Sequence, residues 1–279
     1  MPNQELIKSD IPEIMEIGDV VEESKYNKSF FFRHNLECKP GQFIMVWLPG
    51  VDEKPMAVSY YKKGEFAFTS HAIGKFTNAL DKLKKGDKLG TRGPYGNGFS
   101  ASENACVVGG GVGMASVSTL IDTLKNPIII NGARSSEHLI YLNRYKKRKM
   151  IVTTDDGSFG REGFTTEVLE EELSKNKKLK IVYTCGPEIM MKKIFEICKR
   201  HKVECEASLE RYMACGFGVC GKCMINDRID CIDGPIFNSR QLAKLSEFGD
   251  FARLKSGRKV TLKEYHEAHK EKNEKRDYR

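Results

Sequence analysis

The stretch that most limits what this chain can become is Cys215-Gly216-Phe217-Gly218-Val219-Cys220-Gly221-Lys222-Cys223, followed by Cys231. Four cysteines fall within 17 residues, the first three spaced C-x4-C-x2-C. That spacing suits thiolates gripping a [2Fe-2S] cluster, whose two irons need four soft anionic ligands. Glycines between the first two cysteines let the backbone curl and aim its amides at sulfur. Cys215, Cys220, Cys223 and Cys231 are therefore the expected metal ligands. A four-cysteine zinc site is the rival, because zinc accepts many spacings. Four buried cysteines without metal would have no use for the glycines.

The other cysteines bear on the compartment. There are nine in 279 residues, an odd number. No charged-then-apolar leader is evident, and no apolar run approaches the length of a membrane span. The cysteines read as reduced and partly metal-bound, which predicts a cytoplasmic protein away from the membrane. The net charge of +8 could attract nucleotides, nucleic acid or an acidic partner. Much of it sits in short lysine runs such as Lys82-Leu83-Lys84-Lys85 and Lys146-Lys147-Arg148-Lys149. Those read as solvated helix ends and turns, so no nucleic-acid partner is expected.

Residues 1–98 carry short apolar or alternating runs split by turn signals such as Lys39-Pro40-Gly41 and Lys85-Gly86-Asp87. Strands are predicted over 11–21, 29–34, 42–48, 56–61, 65–70 and 88–91. That pattern predicts an antiparallel β barrel or sandwich. One helix is expected over 75–84. The amides after Gly74 and the Thr77 hydroxyl offer either a phosphate seat or a simple N-cap. Lys54-Pro55-Met56-Ala57-Val58-Ser59 enters a strand with a cation and a hydroxyl available, as a cofactor clamp or an ordinary strand. Gly93 to Phe99 reads as the linker leaving this domain.

Residues 99–203 alternate strands with helices, which predicts a doubly wound parallel α/β sheet. Strands are expected at 105–108, 126–131, 149–154, 180–185 and 202–208. Helices should follow Gly113 and cover 138–146, 164–174 and 188–199. Ligands in such sheets sit beyond the carboxyl ends of the strands. Gly109, Gly110, Gly111 and Gly113 lie after the first strand, although G-G-G-x-G is not the full dinucleotide fingerprint. Arg134 and Ser135 follow the second strand, Asp156 the third, and Cys185, Gly186 and Pro187 the fourth. Residues 204–240 form the cluster segment, with a short hairpin at 224–230 returning Cys231. Residues 241–279 read as a polar basic tail, with 250–259 lacking an apolar face and a charge-rich helix or frayed end from Leu262. The last ten residues are expected to be poorly ordered, and His266 and His269 to lie on the surface.

Together these stretches resemble the electron-transfer subunits of NAD-dependent dihydroorotate dehydrogenase, within the ferredoxin–NADP reductase-like superfamily. The resemblance covers about residues 10 to 240. Its most specific parts are Ser208 to Cys223 and Cys231 to Phe237. Thr154 to Gly160 and Cys185 to Met191 support it. It implies an FAD-binding barrel, an NAD(H)-binding domain and a C-terminal [2Fe-2S] segment. It also implies an FMN-containing catalytic subunit that oxidises dihydroorotate in pyrimidine biosynthesis, assembled as a heterotetramer of two plus two. FAD would meet Lys54, Pro55, Met56, Ala57, Val58 and Ser59, then Ile73, Gly74, Lys75 and Thr77. Within those motifs Lys54 replaces an arginine, Ala57 a hydroxyl residue and Phe76 a glycine. Lysine keeps the charge but loses the planar fork. NAD(H) would lie over Gly109–Gly113, with its nicotinamide near Cys185 and Gly186. No acid–base triad is needed, and none is evident. Reductase subunits feeding a hydrogenase, a sulfite reductase or a ferredoxin-linked complex share the same three modules, and a zinc-stabilised interaction protein is the non-redox alternative.

Overall fold

The computed structural model describes residues 11–274, with side chains as far as Ala268. The first half is a curled antiparallel sheet of seven strands. They are β1 (Glu13–Glu16), β2 (Asp19–Ser24), β3 (Asn27–Phe32), β4 (Phe43–Leu48), β5 (Asp52–Lys62), β6 (Glu65–His71) and β7 (Lys88–Tyr95). Their spatial order is β1-β7-β4-β5-β6-β3-β2. Alternate residues point inward, as a pleated strand requires. Phe30 and Phe32, Phe66 and Phe68, and Ile44 and Val46 therefore meet in one apolar interior. The short helix α1 (Lys75–Leu80) plugs it with Phe76 and Leu80.

The second sheet uses β8 (Ala105–Gly110), β9 (Ile128–Ala133), β10 (Met150–Thr154), β11 (Arg161–Glu162), β12 (Ile181–Cys185) and β13 (Glu204–Ser208). All pair in parallel, in the order β11-β10-β9-β8-β12-β13. Helices cover both faces: α2 (Met114–Thr123), α3 (Thr165–Lys175) and α4 (Glu188–His201). Val107, Ile129 and Tyr183 pack with Val117 and Leu120 of α2. Their sequence neighbours Cys106, Ile130 and Val182 face the other way, against Leu169 of α3 and Ile194 of α4. Burial on both faces is what makes these strands read as continuous apolar runs.

The C-terminal segment holds the hairpin β14 (Met224–Ile225) and β15 (Arg228–Ile229), then α5 (Asp230–Asp233). Strand β16 (Ile236–Asn238) adds antiparallel to β13 and closes that edge of the sheet. After it come α6 (Ser239–Leu242), the hairpin β17 (Phe251–Arg253) and β18 (Lys259–Thr261), and α7 (Leu262–Glu274).

Several expectations are corrected. The strand read over 11–21 is two strands, broken at buried Ile17 and at Gly18, whose amide bonds to the Phe31 carbonyl. The helix read over 75–84 stops at Leu80 and continues as single turns. Residues 138–146 form no regular helix: a 3-10 turn covers Ser136–His138, and Tyr141 takes a left-handed φ of 63°. Burying the Tyr141 and Tyr145 rings overrides the helical spacing. Residues 93–99 are not a free linker, since β7 runs to Tyr95 and Asn97 bonds to the Asp233 and Ile236 carbonyls. The stretch after 240 is folded, with Leu242, Leu245 and Phe248 in the α/β core. Residues 250–259, read without an apolar face, start one hairpin strand and reach the next, burying Ala252 with Val260 just beyond. His266 is exposed, whereas the His269 side chain and residues 275–279 lie outside the described part. No described helix is long and apolar enough to cross a membrane.

Candidate redox site

The four cysteines converge in two pairs. The Cys223 and Cys231 sulfurs are 3.4 Å apart and both residues are buried. Cys215 and Cys220 form the other pair, half-buried and exposed respectively, linked by hydrogen bonds from the Cys220 amide and side chain to the Cys215 sulfur. Positive φ angles at Gly216 and Gly218 curl the loop between them, and the Gly218 amide donates to the Cys231 sulfur over 3.2 Å. A Cβ on Gly216 would lie 2.8 Å from the Met45 side chain, so only glycine lets the loop sit this close to the barrel.

Two of the thiols, Cys215 and Cys223, are tuned toward thiolate. Burial pushes Cys215 up, but the amides of Cys220, Phe217 and Val219 together with the Cys220 side chain outweigh it and bring it down to about 7. Cys223 comes down to about 6, chiefly through its hydrogen bond with Cys231, which the same contact pushes up. Among the described residues no group of three or more His, Cys, Asp or Glu side chains is arranged to hold one ion. Two cysteine pairs with amide donors between them fit two bridged irons better than a single tetrahedral zinc.

This segment rests on the barrel. Phe43 and Met45 of β4 pack with Met213, Cys223 and Cys231, and Tyr95 of β7 joins them. Arg92 of β7 makes a two-pronged ion pair with Glu53 and lies 5.4 Å from the Phe217 ring centre. On the outer side, Phe217, Val219 and Ile232 are exposed around Cys220.

The predicted flavin stretch Lys54–Ser59 lies wholly within β5, next to β4, with Met45 opposite Pro55 and Phe43 opposite Ala57. Lys54 bonds to Asp52 at 2.6 Å and lies 5.7 Å from the Tyr212 ring and 6.0 Å from the Phe76 ring. It thus stands between the barrel, α1 and the cluster segment. Met56 and Ala57 are half-buried, Val58 fully buried. Ser59 is buried too, its hydroxyl donating to the Ala67 carbonyl and accepting from Thr69. Ile73 is exposed beside Gly74 and Lys75. The Thr77 hydroxyl accepts from the Ile73 and Gly74 amides at 3.0 Å each, closing the turn on itself.

The nucleotide-binding candidates meet at the carboxyl edge of the parallel sheet. A Cβ on Gly113 would sit 2.5 Å from the Cys185 carbonyl oxygen, and one on Gly110 3.0 Å from Pro187. The loop Gly109–Gly113 therefore packs directly on Cys185-Gly186-Pro187, while Gly111, with φ 54°, faces open space. Ser158 joins the other two loops: its hydroxyl accepts from the Ser136 amide and donates to Asp156 at 2.6 Å. Those Ser158 bonds hold Asp156 below its ordinary value. Ser135 bonds to His138.

Sequence reading missed Glu210 and the pair Arg211–Glu188. Glu210 is an exposed residue whose carboxyl lies 3.9 Å from the Cys185 sulfur; desolvation of that carboxyl, followed by the Glu188 charge, raises it. Arg211 and Glu188 form a two-pronged ion pair with both side chains almost fully enclosed. The available signal was position: Glu210 and Arg211 follow the last parallel strand, where ligands gather in such sheets.

Comparison with known proteins places these features together. The model of the iron-sulfur cluster binding domain of dihydroorotate dehydrogenase B matches residues 210–243. A Methanocaldococcus jannaschii protein named "Probable dihydroorotate dehydrogenase B (NAD(+)), electron transfer subunit" is 42% identical over 257 residues, covering 89% of this chain and 98% of its own. A Pyrococcus furiosus protein of the same name is 42% identical over 247 residues, covering 87% and 96%. Among solved structures, a chain of the NADH-dependent reduced ferredoxin-NADP oxidoreductase superposes with TM-score 0.73 at 28% identity, over 85% of this chain and 93% of that one. A ferredoxin NADP+ reductase from Neisseria gonorrhoeae, with bound FAD and NADP, shares the fold at TM-score 0.59 and 15% identity, over 70% and 92%.

Proposed function

Because this chain belongs to the family of dihydroorotate dehydrogenase B (NAD(+)) electron transfer subunits, we propose that it carries electrons between NAD(H) and an FMN-containing catalytic subunit that oxidises dihydroorotate. In this reading residues 1–98 hold FAD, 99–203 hold NAD(H) and 204–240 hold the cluster. Two such chains join two catalytic subunits in the cytoplasm. When bound, FAD supplies two-electron exchange with NAD(H) and one-electron exchange with a [2Fe-2S] cluster.

The observation that carries the reading is the adjacency of two seats. Strand β4 supports the cysteine segment through Phe43 and Met45, and the same residues pair with Ala57 and Pro55 on the flavin stretch of β5. Cys215, Cys220, Cys223 and Cys231 would hold the cluster in this reading. The Gly218 amide steadies the Cys231 sulfur, and Lys54 places a cation beside the barrel opening. Cys185 and Glu210 stand together at the carboxyl edge of the parallel sheet. Exposed Phe217, Val219 and Ile232 form the apolar rim against which the catalytic subunit docks.

The test is replacement of Cys220 by serine in anaerobically prepared protein. Electron delivery to the catalytic subunit should be lost while NADH still reduces a small dye through the flavin. Survival of both activities would remove the cluster from the path. A second reading is favoured by the likeness to the reduced ferredoxin-NADP oxidoreductase chain: a reductase module serving a ferredoxin-linked complex. The protein that co-purifies with this chain separates the two.

A further inference from the structure

Two polar contacts between barrel and α/β domain meet on one backbone carbonyl. Ser59 sits in a β-bulge: Val58 pairs with Phe68 and Tyr60 with Ala67, so Ser59 is skipped in the ladder. Bulges free backbone groups from the sheet and recur next to active sites. The freed Ser59 carbonyl accepts from the Arg144 guanidinium at 3.0 Å and from the Ser118 hydroxyl at 2.6 Å, both in the other domain. Ser118 has one proton to share with the Ala115 carbonyl 2.7 Å away. Arg144 is therefore the donor dedicated to Ser59.

Arg144 reaches two elements at once. One terminal nitrogen holds Ser59 on β5, and the other makes an ion pair with Asp122 on α2. Its guanidinium is stacked within 5.0–5.5 Å of the Tyr60, Tyr141 and Tyr145 ring centres. Only 23% of the side chain is exposed. Tyr145 also bonds to the Ser118 carbonyl, and Tyr141 shares a hydrogen bond with Thr69, which in turn holds the Ser59 hydroxyl. Helix α2 begins directly after Gly113 of the nucleotide loop, and β5 is the flavin strand of the proposed function. A planar, always charged fork caged by three rings is a stiff link between them.

We propose that Arg144 is a positioning residue that sets the spacing between the nicotinamide-binding loops and the flavin strand, by gripping the Ser59 carbonyl and α2 in one plane. The proposal rests on the functional reading above. Displacing reacting groups by ~1 Å can cost about 100-fold in rate.

The variants are Arg144→Met, which keeps the stem without the fork, and Arg144→Lys, which keeps the charge. Arg144→Met should retain flavin and iron, and bind NADH within about threefold of the parent, because neither binding surface is altered. Flavin reduction by NADH, followed by stopped flow, should slow at least ~10-fold. Amide hydrogen exchange along α2 and around Ser59 should rise in the protein without nucleotide. Arg144→Lys should fall between parent and Arg144→Met on both measures. Folded Arg144→Met with parental reduction rate and parental exchange overturns the proposal. If that variant does not accumulate folded, Arg144→Lys carries the test, because it keeps the charge and loses the planar fork. It should show the same split at about threefold, and no change in rate or exchange overturns the proposal. Failure of NADH to reduce the parent flavin would overturn the functional reading and this inference with it. Reduction of the parent with indifferent variants overturns the inference alone.

Discussion

Replacing Arg211 by methionine tests how the cysteine segment is anchored to the parallel sheet. Arg211 is 3% exposed at its side chain and Glu188 11%, so the pair is nearly dry. Glu188 also accepts from the Gly249 amide at 2.8 Å, which ties the C-terminal extension to the same carboxylate. The desolvation already spent on both ions makes the pair worth little against an apolar substitute, but removing one partner strands the other. The expected loss for Arg211→Met is therefore ~3–5 kcal/mol, a large share of a total stability of about 5–15 kcal/mol. At a denaturant slope of about 3 kcal/mol per molar urea, the midpoint moves down by roughly 1 M or more. Glu188→Gln in the same chain keeps an acceptor for Gly249 and removes the stranded charge, so the double variant should regain at least ~2 kcal/mol relative to Arg211→Met. The assay is urea unfolding by circular dichroism and by fluorescence of the single tryptophan, Trp47. All variants are compared at equal flavin and iron content, because bound groups add stability of their own. A double variant no more stable than Arg211→Met would show that the loss comes from packing and not from an unpaired buried charge.

Four further outcomes follow from the same geometry. Gly216→Ala forces a side chain into a φ of 83° and against buried Met45; the left-handed conformation alone costs ~1–2 kcal/mol, so iron per chain should fall in metal analysis, and parental iron content would contradict it. Desolvation of its carboxyl and the Glu188 charge raise Glu210 above its ordinary 4.5, so its contribution is complete below 4.5 and lost as pH rises through the folded value; Glu210→Gln should gain stability on the parent as pH rises above 4.5, and a pH-independent difference in urea midpoint would refute this. Thr77→Val deprives two amides of their acceptor and should cost ~1 kcal/mol, read as a thermal midpoint a few degrees lower and weaker FAD retention on dilution; an unchanged midpoint counts against the cap. Phe248→Ala removes a fully buried ring supplied by the C-terminal extension and should cost ~3–5 kcal/mol; an unchanged melting curve would mean the extension is dispensable.

Much of the site was legible in the chain because its chemistry is local. The four cysteines sit on one short loop and one return hairpin, so their spacing in sequence fixes their spacing in space. The glycine loop and Cys185-Gly186-Pro187 were legible separately, as turns after apolar strands; that they touch follows from the parallel pairing of β8 with β12, in which Gly109 faces Cys185. Most strands of both sheets were legible from inward alternation and apolar runs, whereas β11 and β16 are too short to leave either pattern. The helix read over 138–146 failed because Tyr141 and Tyr145 are spaced for a helix but are buried at a domain junction.

The sequence by itself determined the four-cysteine constellation, the two classes of sheet and their order along the chain. Each of those depends on residues within a few positions of one another. The tertiary structure alone decided that β4 lies between the cysteine segment and β5. It also decided that Glu210 approaches Cys185 across 25 residues, and that residues beyond 240 complete the α/β core. It decided, too, that Arg144 holds a carbonyl 85 positions away. Such pairings arise from topology, because the energy of a buried ion pair or hydrogen bond depends on which distant group the fold brings alongside, and that leaves no periodic trace in the chain.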